Sequence, residues 1–104
     1  AKITLLGFSQ GAATVFRWAL QNEIHFDRLI LWAGLFPPDI DFEKGRELLT
    51  RKEVMEIYGT KDPYITQEKY EEMILLNKKL SIPLKLITFE GGHEIDQQVL
   101  RQLQ

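Results

Sequence analysis

The chain has 104 residues, 44% of them hydrophobic, and a formal net charge of −2. That is enough for one small core, so the chain is one domain or part of one, and its scattered lysines and arginines offer no basic run suited to nucleic acid or an anionic membrane. The lack of cysteine excludes disulfides, thiol catalysis and Cys-ligated metals, and the two histidines, His25 and His93, leave little for a His-based metal site.

Apolar, β-rich runs alternate with helical stretches along the chain. The first run, Ile3 to Phe8, is apolar almost throughout. A strand buried on both faces reads this way, so neighbours on both sides are expected. Because the chain opens inside this pattern, at Ala1-Lys2-Ile3, it is expected to be a fragment whose upstream part, including any signal peptide, is not seen. Gln10 to Asn22 follows as a helix, with Ala13, Phe16, Ala19 and Leu20 at helical spacing. Arg28 to Ala33 is the second strand. The apolar stretch containing it, Leu29 to Phe36, falls short of the roughly 20 residues needed to span a bilayer.

Pro37-Pro38 then enforces a loop, and Glu43 to Arg51 reads as a short amphipathic helix. Val54 to Tyr58 is the third strand. Thr66 to Leu80 is the strongest helix, with Thr66 as its cap, Ile65 placed to staple against Tyr70, and Tyr70, Met73, Ile74 and Leu80 as its buried stripe. Leu84 to Phe89 is the fourth strand, and its interruptions at Lys85 and Thr88 suit a position near a sheet edge. Glu94 to Gln104 closes the chain as a helix, with Ile95, Val99 and Leu103 spaced four apart.

Strand–helix repetition with short connections predicts an α/β fold: a parallel sheet between flanking helices, in three layers. Ligands in such sheets bind at the carboxyl ends of the strands, so the residues just after each apolar run are the candidates for chemistry. The first strand runs into Gly7-Phe8-Ser9-Gln10-Gly11, a G-x-S-x-G set between a strand and a helix. Small residues at positions 7 and 11 are expected to let strand and helix approach at a strained turn that presents Ser9. The backbone N–H of Gln10 then faces a developing oxyanion.

A serine hydroxyl needs a base. His93 follows the last strand, after Gly91-Gly92, which are expected to let the loop bend back over the first strand. His25 lies at the opposite end of the sheet and is assigned a surface or capping role. The histidine needs an acid to fix its tautomer. Asp62 follows the third strand in Tyr58-Gly59-Thr60-Lys61-Asp62-Pro63. Asp39 and Asp41 are weaker candidates, and Asp96 is read as supporting a helix start. The order Ser9, Asp62, His93 matches one of three known orders for serine hydrolases.

The runs Gly-Phe-Ser-Gln-Gly-Ala-Ala at 7–13, Tyr-Gly-Thr-Lys-Asp-Pro-Tyr at 58–64 and Gly-Gly-His-Glu-Ile at 91–95 resemble the phospholipase/carboxylesterase family of α/β-hydrolases, which includes acyl-protein thioesterases. The resemblance covers the whole chain but only the C-terminal half of the family's fold. Ala12 stands where many relatives carry glycine. The resemblance implies Ser9 as nucleophile, Asp62 as acid, His93 as base and Gln10 as one oxyanion donor. It places the second donor on an early loop outside this chain.

The expected activity is cofactor-free and metal-free hydrolysis of a small acyl ester or thioester, with Leu35, Phe36 and Tyr64 lining an acyl pocket or serving ordinary packing. Two alternatives are a non-catalytic piece that keeps the turn without turnover and a peptidase on the same fold, for which no acidic subsite is evident. Expected partners are the acyl substrate and, as an assembly, a homodimer; no nucleic acid and no integral membrane segment are expected, and the expected location is cytoplasmic. Residues 1–104 alone are expected to be poorly active and poorly stable.

Overall fold

The structure, a computed structural model, describes residues 2–22 and 24–103. The chain order is β1 (Thr4–Phe8), α1 (Gln10–Asn22), β2 (Arg28–Trp32), α2 (Phe42–Leu49), β3 (Glu53–Gly59), α3 (Gln67–Leu80), β4 (Lys85–Phe89) and α4 (Gln97–Gln102). All eight expected elements are present. The four strands form one parallel sheet in the order β1-β2-β3-β4. Ser9 and the loops after β3 and β4 therefore emerge together at its carboxyl end.

The sheet divides two cores. Alternate residues of β2 point to opposite faces, and both faces are buried. Leu29 and Leu31 join Phe16, Ala19 and Leu20 of α1, Leu49 of α2, and Leu76 and Leu80 of α3. Ile30 and Trp32 join Met55 and Ile57 beneath the flank of α4, where Val99, Leu100 and Leu103 pack. Helices α1, α2 and α3 thus cover one face and α4 the other, the three-layer arrangement expected. β4 is one edge of the sheet, as its pattern suggested. β1 is the other edge, bonded to β2 alone, so the two-sided pairing read from its apolar run is not met within residues 2–103.

Helix ends follow from capping. Asp41 accepts from the N–H groups of Glu43 and Lys44, so α2 begins one residue earlier than expected. It stops at Leu49, short of the expected Arg51, because Arg51 takes a left-handed conformation with φ of 71°. Thr66 caps α3 by accepting from the N–H of Lys69, as expected. The stripe of α3 needs correction: Met73, Leu76 and Leu80 are buried, whereas Tyr70 and Ile74 are only half-buried. The last helix starts three residues later than expected, because Asp96 caps it and residues 94–95 belong to the preceding loop. Its expected end at Gln104, like Ala1, lies outside the described residues.

One buried polar pair interrupts the core. Glu56, in the middle of β3, is 1% exposed and accepts from the Asn77 side-chain amide of α3. Glu56 Oε2 and Asn77 Oδ1 have no partner. Both are acceptors, and protonating the carboxyl turns one of them into a donor. Burial pushes the Glu56 carboxyl up to about 7 from an ordinary value of 4.5. The folded chain therefore holds this proton more tightly than the unfolded chain. Its stabilising effect is complete below about pH 4.5 and is lost as pH rises through about 7. Glu56→Gln removes the ionisation and keeps the shape. In denaturant titrations at pH 8, the variant is expected to exceed the parent by a margin on the order of 3 kcal/mol, the linkage value of such a shift. The margin is expected to close near pH 4.5, and a margin independent of pH would contradict it.

Candidate active site

β1 ends in Phe8, and the chain reverses at Ser9 into α1. Ser9 has φ of 57°, a left-handed conformation that strains a residue with a side chain. Its amide donates to the Trp32 carbonyl at 2.7 Å, which fastens the turn to the end of β2. Gly7 permits the reversal, since a Cβ there would lie 2.5 Å from the Gly11 carbonyl and 2.6 Å from Ala12 Cα. Gly11 does not share that duty: a Cβ on it would meet open space. The helix approaches the strand over Gly7, with Ala12 as the close neighbour.

The histidine arrives from the far edge. β4 and β1 are separated by three strand spacings, about 14 Å, so the loop after β4 must travel back across the ends of β3 and β2. Three backbone features route it. The N–H of Thr60 donates to the Phe89 carbonyl, and the N–H of Lys61 to the Gly91 carbonyl, each at 2.8 Å. Gly59 leaves room for the crossing, because a Cβ on it would overlap the Gly91 carbonyl.

The bend was expected to depend on Gly91 and Gly92. Neither takes a positive φ, and a Cβ on Gly92 would meet open space. Gly91 is small because the Phe89 ring lies against it. The glycine that the crossing itself requires is Gly59, on the strand being crossed.

The loop brings His93 Nε2 to 3.0 Å from Ser9 Oγ, and His93 Nδ1 to 2.7 Å from Asp62 Oδ2. Asp62 is fully buried at its side chain, and its other oxygen accepts from the Tyr64 N–H at 2.8 Å. Where the Asp62 carboxylate accepts from the ring, the imidazole proton is on Nδ1. Nε2 is then left as an acceptor facing the Ser9 hydroxyl. The imidazole is flanked by the rings of Phe8 and Tyr64, with centroids at 4.9 and 4.5 Å.

The competing residues are engaged elsewhere. Asp39 pairs with Arg17 on the surface, which holds its carboxyl below the usual range. Asp41 caps α2 and Asp96 caps α4. His25 is exposed on the connection leading into β2, at the amino end of the sheet.

A cleft of about 270 Å³ opens beside Ser9. Leu35, Phe36 and Tyr64 all line it, together with Ala13, Ala33 and Pro37. Lys69 and Glu72 of α3 also border it. The three expected lining residues differ in character. Phe36 is 1% exposed and packs edge-on against Phe16, so it is chiefly core. Leu35 is half-buried. Tyr64 is 67% exposed and bridges the cleft to His93.

A profile of the phospholipase/carboxylesterase family matches residues 1–104. The chain belongs to the phospholipase/carboxylesterase family. No curated protein matches the chain. Among solved structures, acyl-protein thioesterase 2 of Zea mays is similar with a TM-score of 0.71 at 13% identity, covering 98% of this chain and 53% of that one. Esterase PE8 is similar with a TM-score of 0.65 at 26% identity, covering 96% and 46%. MGS-M1, an α/β-hydrolase enzyme from a Medee basin deep-sea metagenome, has a TM-score of 0.61 at 16% identity, covering 96% and 49%. The chain spans about half the length of these structures and has the α/β-hydrolase fold. Among the described residues, no helix of this family member is long and apolar enough to cross a membrane.

Sequence reasoning did not single out four residues that shape the site. Phe8 was read only as the variable position of the motif, yet its ring flanks His93. Gly59 was read only as part of the Asp62 loop. Ala33 carries a positive φ of 56° beside Ser9, and nothing in its local sequence signals that. The fourth, Trp32, donates its indole N–H to the loop that carries His93.

Proposed function

We propose that the protein is a serine hydrolase that cleaves carboxylic esters or thioesters through an acyl-enzyme intermediate. The observation that carries this reading is the 3.0 Å approach of His93 Nε2 to Ser9 Oγ, with Asp62 held 2.7 Å from the other ring nitrogen. Ser9 Oγ attacks the acyl carbon while His93 takes its proton. The carbonyl electrons collect on an oxyanion, for which the Gln10 N–H at the start of α1 is a donor. Collapse expels the alcohol or thiol, which receives the proton from His93. Water, deprotonated by His93 in turn, then attacks the acyl-Ser9 carbonyl and releases the acid. Asp62 keeps the imidazole in the required tautomer and offsets its charge when protonated.

The apolar wall of the cleft, with Leu35 and Phe36, suits the acyl portion, and Tyr64 closes the side nearest His93. Family membership and the printed names of esterase PE8 and acyl-protein thioesterase 2 support an ester or thioester substrate. The matched structures are about twice the length of this chain.

The test is covalent. A fluorophosphonate probe is expected to modify Ser9 in the native full-length protein and to leave Ser81 untouched, as read by peptide mass spectrometry. Protein that hydrolyses a chromogenic ester without label on Ser9, or label that settles on Ser81, would remove Ser9 from the mechanism. Native protein that neither takes the label nor turns over any acyl ester would favour a non-catalytic role.

A further inference from the structure

Trp32 is the last residue of β2, the strand beside β1, which leads into Ser9. Its side chain is fully buried and its ring lies against Phe89. It bonds to Ser9 and to Glu94, the residue after His93, without touching either reacting atom. Its carbonyl accepts the Ser9 N–H at 2.7 Å. Its indole N–H donates to the Glu94 carbonyl, directly after His93, at 2.9 Å. The loop from β4 is also fastened at its near end by the bonds of Thr60 and Lys61 to Phe89 and Gly91, at His93 by the bond to Asp62, and after Glu94 by Ile95 packed against the core. Among the described residues, the Trp32 indole is the only side chain that donates to the backbone of residues 91–94.

We infer that Trp32 is a positioning residue, which sets the distance between Ser9 and His93 by holding the turn through its carbonyl and the histidine loop through its indole N–H. This rests on the hydrolase reading above only for its effect on rate. A buried indole N–H requires a partner, and here the partner belongs to the loop whose placement the proton transfer needs. Without the bond, the Glu94 carbonyl loses its donor, and the backbone between His93 and the packed Ile95 loses its link to β2. A displacement near 1 Å between base and nucleophile costs about 10²-fold in rate.

Two replacements test this in the full-length protein. Trp32→Phe removes the donor and keeps an aromatic body. The benzothiophene isostere of tryptophan at position 32 replaces only the N–H, by sulfur. Either variant is expected to show kcat lower by about 10²-fold with KM unchanged, and fluorophosphonate labelling of Ser9 slowed in proportion. The low-field His93 Nδ1 proton signal, which reports the bond to Asp62, is expected to broaden or vanish. A folded isostere variant with parental kcat and an unaltered His93 signal would overturn the inference, even if its melting temperature falls.

Should the parent lack Ser9-dependent turnover, the hydrolase reading fails by itself. Trp32 is then judged by the His93 signal alone, whose persistence in the isostere variant counts against it. A measurement on the unsubstituted protein stands apart from folding of any variant. The Trp32 indole proton is expected to exchange with deuterium as slowly as the Lys61 amide, because both open with the same loop. Fast exchange of the indole alone would overturn the inference.

Discussion

Ser9→Ala is expected to lower kcat for a chromogenic acyl ester by about 10⁶-fold, the scale seen when the serine of a well-studied triad on another fold is removed. The variant keeps the imidazole, the Asp62 bond and the cleft, and loses only the atom that would carry the acyl group. What remains is attack by water positioned near His93, together with oxyanion stabilisation. Stability is expected to change little, since serine and alanine meet similar strain at the left-handed φ of 57°. The measurement is steady-state hydrolysis with active-site titration, so that trace parent enzyme is not counted. A folded variant retaining more than about a hundredth of the parental rate, far above that scale, would point to a different nucleophile.

Asp62→Asn is expected to lower kcat by about 10⁴-fold, the value known for the equivalent change in the template triad. The structure supplies the reason in this chain. Asp62 Oδ1 accepts from the Tyr64 N–H, which orients the group so that Oδ2 faces His93 Nδ1. In the variant, the oxygen stays with Tyr64 and the amide nitrogen faces the ring. A donor facing Nδ1 forces the ring proton to Nε2, where it points at Ser9 Oγ and cannot accept. Asp39→Asn and Asp41→Asn are expected to leave turnover near the parental rate. The first loses only a surface pair with Arg17, and the second keeps a side-chain oxygen that can cap α2. Steady-state kinetics on the three variants separates these outcomes. Near-normal turnover in Asp62→Asn beside a collapse in Asp39→Asn would move the acid to the other loop.

Most of the site was legible because its members sit where a parallel sheet must put them. Ser9, Asp62 and His93 each follow an apolar run, and their chain order matches one known for serine hydrolases, although Asp39 and Asp41 fit that order equally well. What misled was the use of glycine. Gly11 was credited with clearance, and Gly91 and Gly92 with a sharp bend, whereas a Cβ on Gly11 or Gly92 meets open space and Gly91 is small because of the Phe89 ring. The clearance that the His93 loop requires is at Gly59, which lies 34 positions before His93 by residue number. Glu56 was not singled out within the third strand, and its pairing with Asn77 depends on how α3 lies on the sheet.

By itself, the sequence determined the alternation of strands and helices, the caps at Thr66 and Asp96, and the three side chains, Ser9, Asp62 and His93, that meet at the carboxyl end of the sheet. These are local properties, set by side-chain periodicity, hydrogen bonding over a few residues and the chemistry of individual groups. Only the tertiary structure decided the distances. Ser9 and His93 lie 84 residues apart, and their 3.0 Å approach depends on the strand order, on backbone bonds between the loops after β3 and β4, and on Trp32 binding both ends. No periodicity encodes such contacts, because each arises from packing between segments remote in sequence. The indole of Trp32 reads in sequence as one more apolar residue of a strand, and its polar edge acquires meaning only when the chain has brought the Glu94 carbonyl to it.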